Sequence, residues 1–144
     1  MAIVQAVCNT FKSELLQGYH DFSASGGDSY KIALFTSTAS LGAAITNTSG
    51  SAYTAGGEAL TGQSVTGGSS ASTAYVDWSN DAQWTSASFT ANGAMIYNTT
   101  ADGGTNTTNA ICILAFGADF TATNGTFTVQ FPAPGTSTAI IRLS

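Results

Sequence analysis

The chain has 144 residues, 43% of them hydrophobic and 10% aromatic, which suits a single domain whose core buries about 68–70% of the unfolded surface without staples and sets it apart from disordered Ser/Thr/Gly-rich sequences. Its formal net charge is −5 and its only Lys/Arg residues are Lys12, Lys31 and Arg142, which excludes a nucleic-acid partner and a polybasic membrane anchor; no apolar run reaches the roughly 18 residues of a spanning helix. Three Lys/Arg, eight Asp/Glu and one His stand against 22 Thr, 17 Ser and 16 Gly, too few ionisable groups for most catalysis.

Taken in chain order, Met1–Val7 has no basic stretch and reaches Asn9 and Lys12 before an apolar run of signal-peptide length forms, so synthesis in a cytoplasm is expected. The first 22 residues hold the one convincing helical pattern. Val4, Val7, Cys8, Phe11 and Leu15 recur at spacings of three and four, and Gly18 stands where a C′ residue ends a helix. A shorter helix from about Phe11 to Gln17, capped by Asn9 or Thr10 with residues 1–8 extended, fits slightly better. An arm of this kind packs either on its own domain or on a neighbour.

From Tyr30 the period changes to two. Tyr30–Thr36 reads as a strand, and further strands are expected at Ala59–Val65, Ala74–Trp78, Trp84–Phe89, Ala94–Tyr97, Ala110–Phe116, Thr126–Phe131 and Thr138–Leu143. Turn signals separate them at Gly50-Ser51, Gly56-Gly57, Gly67-Gly68, Asn92-Gly93, Asp102-Gly103-Gly104, Asn124-Gly125 and Pro132-Ala133-Pro134. Asn124-Gly125 is the best hairpin candidate, because both residues accept the positive φ of a type I′ turn. The pattern predicts an all-β protein: one domain over residues 1–144, with an N-terminal arm and short helix in 1–25. Residues 26–144 would form an antiparallel β-sandwich or jelly-roll-like barrel of about eight strands. Neutral Ser and Thr on the outward faces keep them wettable at a low desolvation cost, which suits protein contact.

Motifs for chemistry are weak. No GxSxG occurs, and His20-Asp21 follows the helix stop, where the histidine reads as a surface or last-turn residue. Gly57–Gly62 has the glycine spacing of a phosphate loop, but Gln63 stands where its lysine belongs. Glu58, Asp77, Asp81 and Asp119 offer carboxylates for glycosidic chemistry, with nothing to pair any two. Asp77–Asp81 and Asp102–Asn106 resemble turns more than Ca²⁺ loops. Trp78, Trp84, Tyr75 and Tyr97 read as core-fillers before a sugar-stacking platform. Cys8 and Cys112 match no metal spacing; two buried free thiols are the default, with a disulfide left open. Asn-x-Ser/Thr matches at Asn47, Asn98, Asn106 and Asn124 are what a Thr-rich chain produces by chance. No cofactor or metal is expected.

Four segments carry a resemblance: Tyr30–Thr36, Tyr53–Leu60, Trp84–Asn98 and Leu114–Pro132, the last two being the most specific, with Cys8–Gln17 similar at the start. Together they resemble a family of small structural proteins of tailed bacteriophages, cyanophages included. The resemblance implies a non-enzymatic virion component, a capsid decoration or cement protein on the outside of an HK97-type head. It would be made in the host cytoplasm, bind the major capsid protein and self-associate as a dimer or trimer. Where that family is expected to carry a basic residue this chain has Asn92, and its loop 101–109 is long. The alternative within the virion is a head-fibre or tail-fibre subunit that recognises host glycans; outside it, a small glycan hydrolase. Phe11, Leu15 and Leu16 are the expected protein-interaction residues.

Overall fold

The structure, a computed structural model, describes residues 3–37, 50–67, 72–100 and 109–144. Its elements are β1 (Ala6–Val7), α1 (Asn9–Leu16), β2 (Tyr30–Phe35), β3 (Glu58–Leu60), β4 (Gln63–Thr66), β5 (Ala74–Trp78), β6 (Ala82–Asn98), β7 (Asn109–Val129) and β8 (Ile141–Leu143). They form two antiparallel sheets, one of five strands in the order β1-β7-β6-β2-β3 and one of three in the order β4-β5-β8. The architecture is an all-β sandwich with a short N-terminal helix; among the described residues neither sheet closes into a barrel.

Helix α1 begins where β1 ends. The Cys8 N–H is taken by the Ile111 carbonyl (2.9 Å), its backbone is extended, and it serves as N-cap without a side-chain bond. Strand pairing therefore sets the start of the helix, and the cap expected at Asn9 or Thr10 is replaced. The helix closes with paired bonds from Gly18 N–H to Leu15 O and from Tyr19 N–H to Glu14 O, with Gly18 at φ 76°, the left-handed conformation of a Schellman cap.

Of the expected strands, Ala74–Trp78 keeps both bounds and Tyr30–Thr36 ends one residue earlier, at Phe35; others are split or merged. Ala59–Val65 is two strands in different sheets: the chain turns at Thr61-Gly62, with Gly62 at φ 73°, and crosses from the large sheet to the small one. Asn92-Gly93 is no turn but the middle of β6, where Gly93 faces both Phe35 on β2 and Ala115 on β7. A Cβ there would lie 2.8 Å from the Ile3 side chain, so glycine lets the arm pack flat on the sheet. Asn124-Gly125 is a bulge within β7: Ala87 pairs Gly125 and Phe89 pairs Ala122, so β7 carries an extra residue there, and Asn124 takes φ 47°. At the other end of the β6–β7 pairing Asn98 faces Asn109. The turn expected at Asp102–Gly104, Gly68, most of loop 101–109, and Asn47 and Asn106 lie outside the described residues.

The core fills the space between the sheets. Ile32, Leu34, Trp84, Phe89, Ile96 and Phe127 of the large sheet meet Val76, Trp78 and Ile141 of the small one, and Phe11 and Phe22 close one end. A smaller apolar cluster of Ile3, Ala33, Phe35 and Met95 seals the opposite face of the large sheet under the N-terminal arm.

Candidate interaction surfaces

The three residues expected to make protein contacts are divided by the fold. Phe11 is a core residue, its ring 5.0 Å from that of His20 and 6.1 Å from that of Phe22. Leu15 is half-buried against the same core, and Leu16 is 90% exposed. The arm thus packs on its own domain and presents one leucine outward. Beside α1 lies an apolar cleft of about 230 Å³, walled by Leu15 and Phe11 on one side and by Val76, Ile141, Val65 and Leu143 of the small sheet on the other. Val65 and Leu143 stand half open to solvent at its mouth. Concave apolar area of this kind is suited to receive a side chain of another protein.

His20 departs most from its sequence reading. It is buried, and its two ring nitrogens are both engaged: Nε2 lies 2.9 Å from Glu14 Oε2 and Nδ1 lies 3.1 Å from Asn98 Nδ2. The Asn98 amide is oriented by its other bonds, accepting from Thr100 N–H at Oδ1 (2.8 Å) and donating from Nδ2 to Asp28 Oδ2 (2.7 Å). Nδ2 therefore donates to His20 Nδ1, which makes Nε2–H the donor to Glu14. Asp28 Oδ2 also accepts from the Asp21 N–H (2.9 Å). Helix α1, the 18–29 connection and the end of β6 are pinned by one satisfied network. Both nitrogens of the imidazole are taken up by this network.

Of the four carboxylates singled out in the sequence, two accept from backbone N–H groups and one from a side-chain amide. Asp81 Oδ1 accepts from Phe131 N–H (2.8 Å), and Asp119 Oδ1 accepts from Asn92 Nδ2 (2.7 Å). Asp77 is buried and accepts from Trp78 N–H (2.9 Å), and its Oδ2 has no partner. Burial pushes its carboxyl above the usual range, with the charge of Asp81 adding to the rise. Glu58 lies on β3 opposite Ile32. Among the described residues no three His, Cys, Asp or Glu side chains converge as a metal site would require. Trp78 and Trp84 are both core residues, which leaves no platform built on them. Cys8 and Cys112 are free; burial pushes the Cys112 thiol up to about 12, and the neighbouring Cys8 adds to this.

A feature that the sequence did not disclose is the β6–β7 ribbon. β2 covers β6 only at Gly93–Asn98, and β1 covers β7 only at Cys112–Ile113, so both strands run beyond the rest of the sheet. One face of the ribbon is core, and the other shows uncharged pairs such as Thr90–Thr121 (2.7 Å between hydroxyls) and Gln83–Thr128 (3.2 Å). Rings continue from the core outward: Phe89 to Phe127 (5.0 Å), Phe127 to Phe116 (6.4 Å), Phe116 to Phe120 (6.2 Å), and Phe120 is half exposed. Period-two reading could have found Phe120, but only with the pairing of β7 known.

Comparison with protein-family models, with curated proteins and with solved structures finds no match to this chain.

Proposed function

We propose that this protein is a non-enzymatic virion structural protein, a decoration or cement protein that binds the major capsid protein on the outer surface of a phage head. The observation that carries the reading is the apolar cleft between α1 and the small sheet, together with the exposed Leu16 of α1, on a sandwich whose ionisable side chains mostly serve its own fold. The resemblance of Tyr30–Thr36, Tyr53–Leu60, Trp84–Asn98 and Leu114–Pro132 to phage structural proteins supports the same conclusion. So does the net charge of −5, which suits the outside of a head better than the DNA-filled interior. Many modest contacts, repeated over a lattice, give such a protein its grip through avidity. A fibre subunit reading glycans is less well supported, because both tryptophans are in the core.

The test is re-addition of purified protein to heads stripped of it. Wild type should rebind and raise the temperature at which the heads release their contents. Leu16→Asp should lose at least about tenfold in binding, the size of a single interface anchor. Its own unfolding should stay within about 0.5 kcal/mol of wild type, since the side chain touches little. Full rebinding by the variant would contradict the proposed attachment surface.

A further inference from the structure

We propose that Cys8 and Cys112 are a disulfide site, two thiols placed to join by exchange with a small-molecule disulfide and so tie the N-terminal arm to β7. They are the two cysteines of the chain, and both are free in this structure. β1 lies on β7 with Val7 opposite Cys112, and the next backbone bond, from Cys8 N–H to Ile111 O (2.9 Å), continues that register by one residue. Cys8 therefore stands one position away from Cys112 on the facing strand. With strands about 4.8 Å apart and a rise of about 3.4 Å per residue, their Cα atoms are about 6 Å apart, inside the span that a disulfide bridges.

In a regular ladder two residues so placed point to opposite faces of the sheet. A bulge removes that obstacle here. Ile96 pairs with Cys112 and Tyr97 with Ala110, so Ile111 is an extra residue in β7. Ile111 and Cys112 both turn into the core between the sheets, and Cys8 packs against that same core. Burial then sets the order of the chemistry. Cys112 is enclosed, whereas Cys8 is half-buried at the head of α1, so Cys8 meets the reagent first. Its thiolate attacks the external disulfide, the bond between the two reagent sulfurs breaks, and one reagent thiol leaves. Cys112, on losing its proton to water, displaces the second reagent thiol from Cys8 and forms the internal bond. Two protein thiols are oxidised and one reagent disulfide is reduced to two thiols. Both protein thiols are held above their ordinary range, Cys8 by burial and the charge of Glu14, Cys112 by burial and the nearness of Cys8. Thiolate is therefore scarce at neutral pH, and the exchange is slow there and accelerates as pH rises.

The test is incubation of the full chain with oxidised glutathione, followed by thiol titration after denaturation, intact mass and peptide mapping. Wild type should lose both thiols, become lighter by two hydrogens, run as a single chain on a non-reducing gel and yield one cross-linked peptide joining Cys8 to Cys112. The rate should rise about tenfold per pH unit between about pH 7 and pH 8.5, while thiolate is the scarce species. Because the bond closes a loop over most of the chain, the thermal unfolding midpoint should rise by at least about 5 °C and return to its starting value with dithiothreitol. Cys112→Ser should instead hold one glutathione on Cys8 and show no such rise, which separates the internal bond from simple capping. A stable glutathione adduct on wild-type Cys8 with Cys112 still reduced would overturn the proposal. So would disulfide-linked dimers, or two thiols that persist at about pH 8.5 while the same chain is oxidised in denaturant.

Discussion

Two groups of aromatic rings hold this protein, and they end differently. The first runs from Phe11 and His20 through Phe22, Tyr30 (4.8 Å from Phe22) and Trp78 (5.6 Å from Tyr30) to Phe131, and every member is buried. It is closed at one end by the Glu14–His20–Asn98–Asp28 network. The second starts from Tyr53, Trp84 and Phe89, passes through Phe127 and Phe116 and finishes in water at Phe120. The closed group joins the two sheets and the helix, so it carries stability. The outer rings of the open one, Phe116 and Phe120, stand where β1 no longer covers β7, so they do little for the monomer and are available for contact. Leu16 and Phe120 are two of the large apolar side chains that the fold leaves exposed.

The largest effect that would break this contrast lies in the closed group. Trp78→Ala should cost about 3–5 kcal/mol, read from chemical denaturation, because the buried ring packs against Phe22, Tyr30 and Phe131 between the sheets. A loss under about 1 kcal/mol would mean that the sheets are held elsewhere. Asn98→Ala comes next, at about 1–3 kcal/mol, since it removes the partner of His20 Nδ1 and one donor to Asp28 inside the fold. Circular dichroism of that variant should keep its β signal while the helix end loosens.

Asp77→Asn sharpens the contrast by pH. Burial raises the folded carboxyl above its unfolded value, so the protonated form is the one that the fold favours. That contribution is complete below about pH 4, the unfolded value, and disappears as pH rises through the raised folded one. Wild type should therefore lose stability over that window, and the variant should show a flatter profile in urea titrations from pH 4 to pH 7.5. An unchanged slope would remove Asp77 as its cause.

Much of the fold was legible where a local pattern had no competitor. Tyr30–Phe35 and Ala74–Trp78 are compact runs of strand-forming residues, and Gly18 ends α1 as its position suggested. Several of the failures share one cause. Asn92-Gly93 and Asn124-Gly125 are strong local turn signals, yet each is held in a long strand by partners far away in sequence, Phe35 and Ala115 for Gly93 and Ala87 for Gly125. His20 looked like a surface residue because the helix end beside it was visible, whereas Asn98, 78 positions on, was not. Of the expected interaction residues, helical spacing marked Phe11 and Leu15 as one apolar face. It could not say that this face is consumed by the chain's own core and that Leu16, off the stripe, is the one left outside.

The measurement that tests the central claim most directly is quantitative mass spectrometry of purified phage particles, counting this chain against the major capsid protein. A decoration or cement protein should appear at a copy number of the same order as the capsid protein. A few copies per particle would point to a fibre or tail component, and absence from the particles would contradict the account.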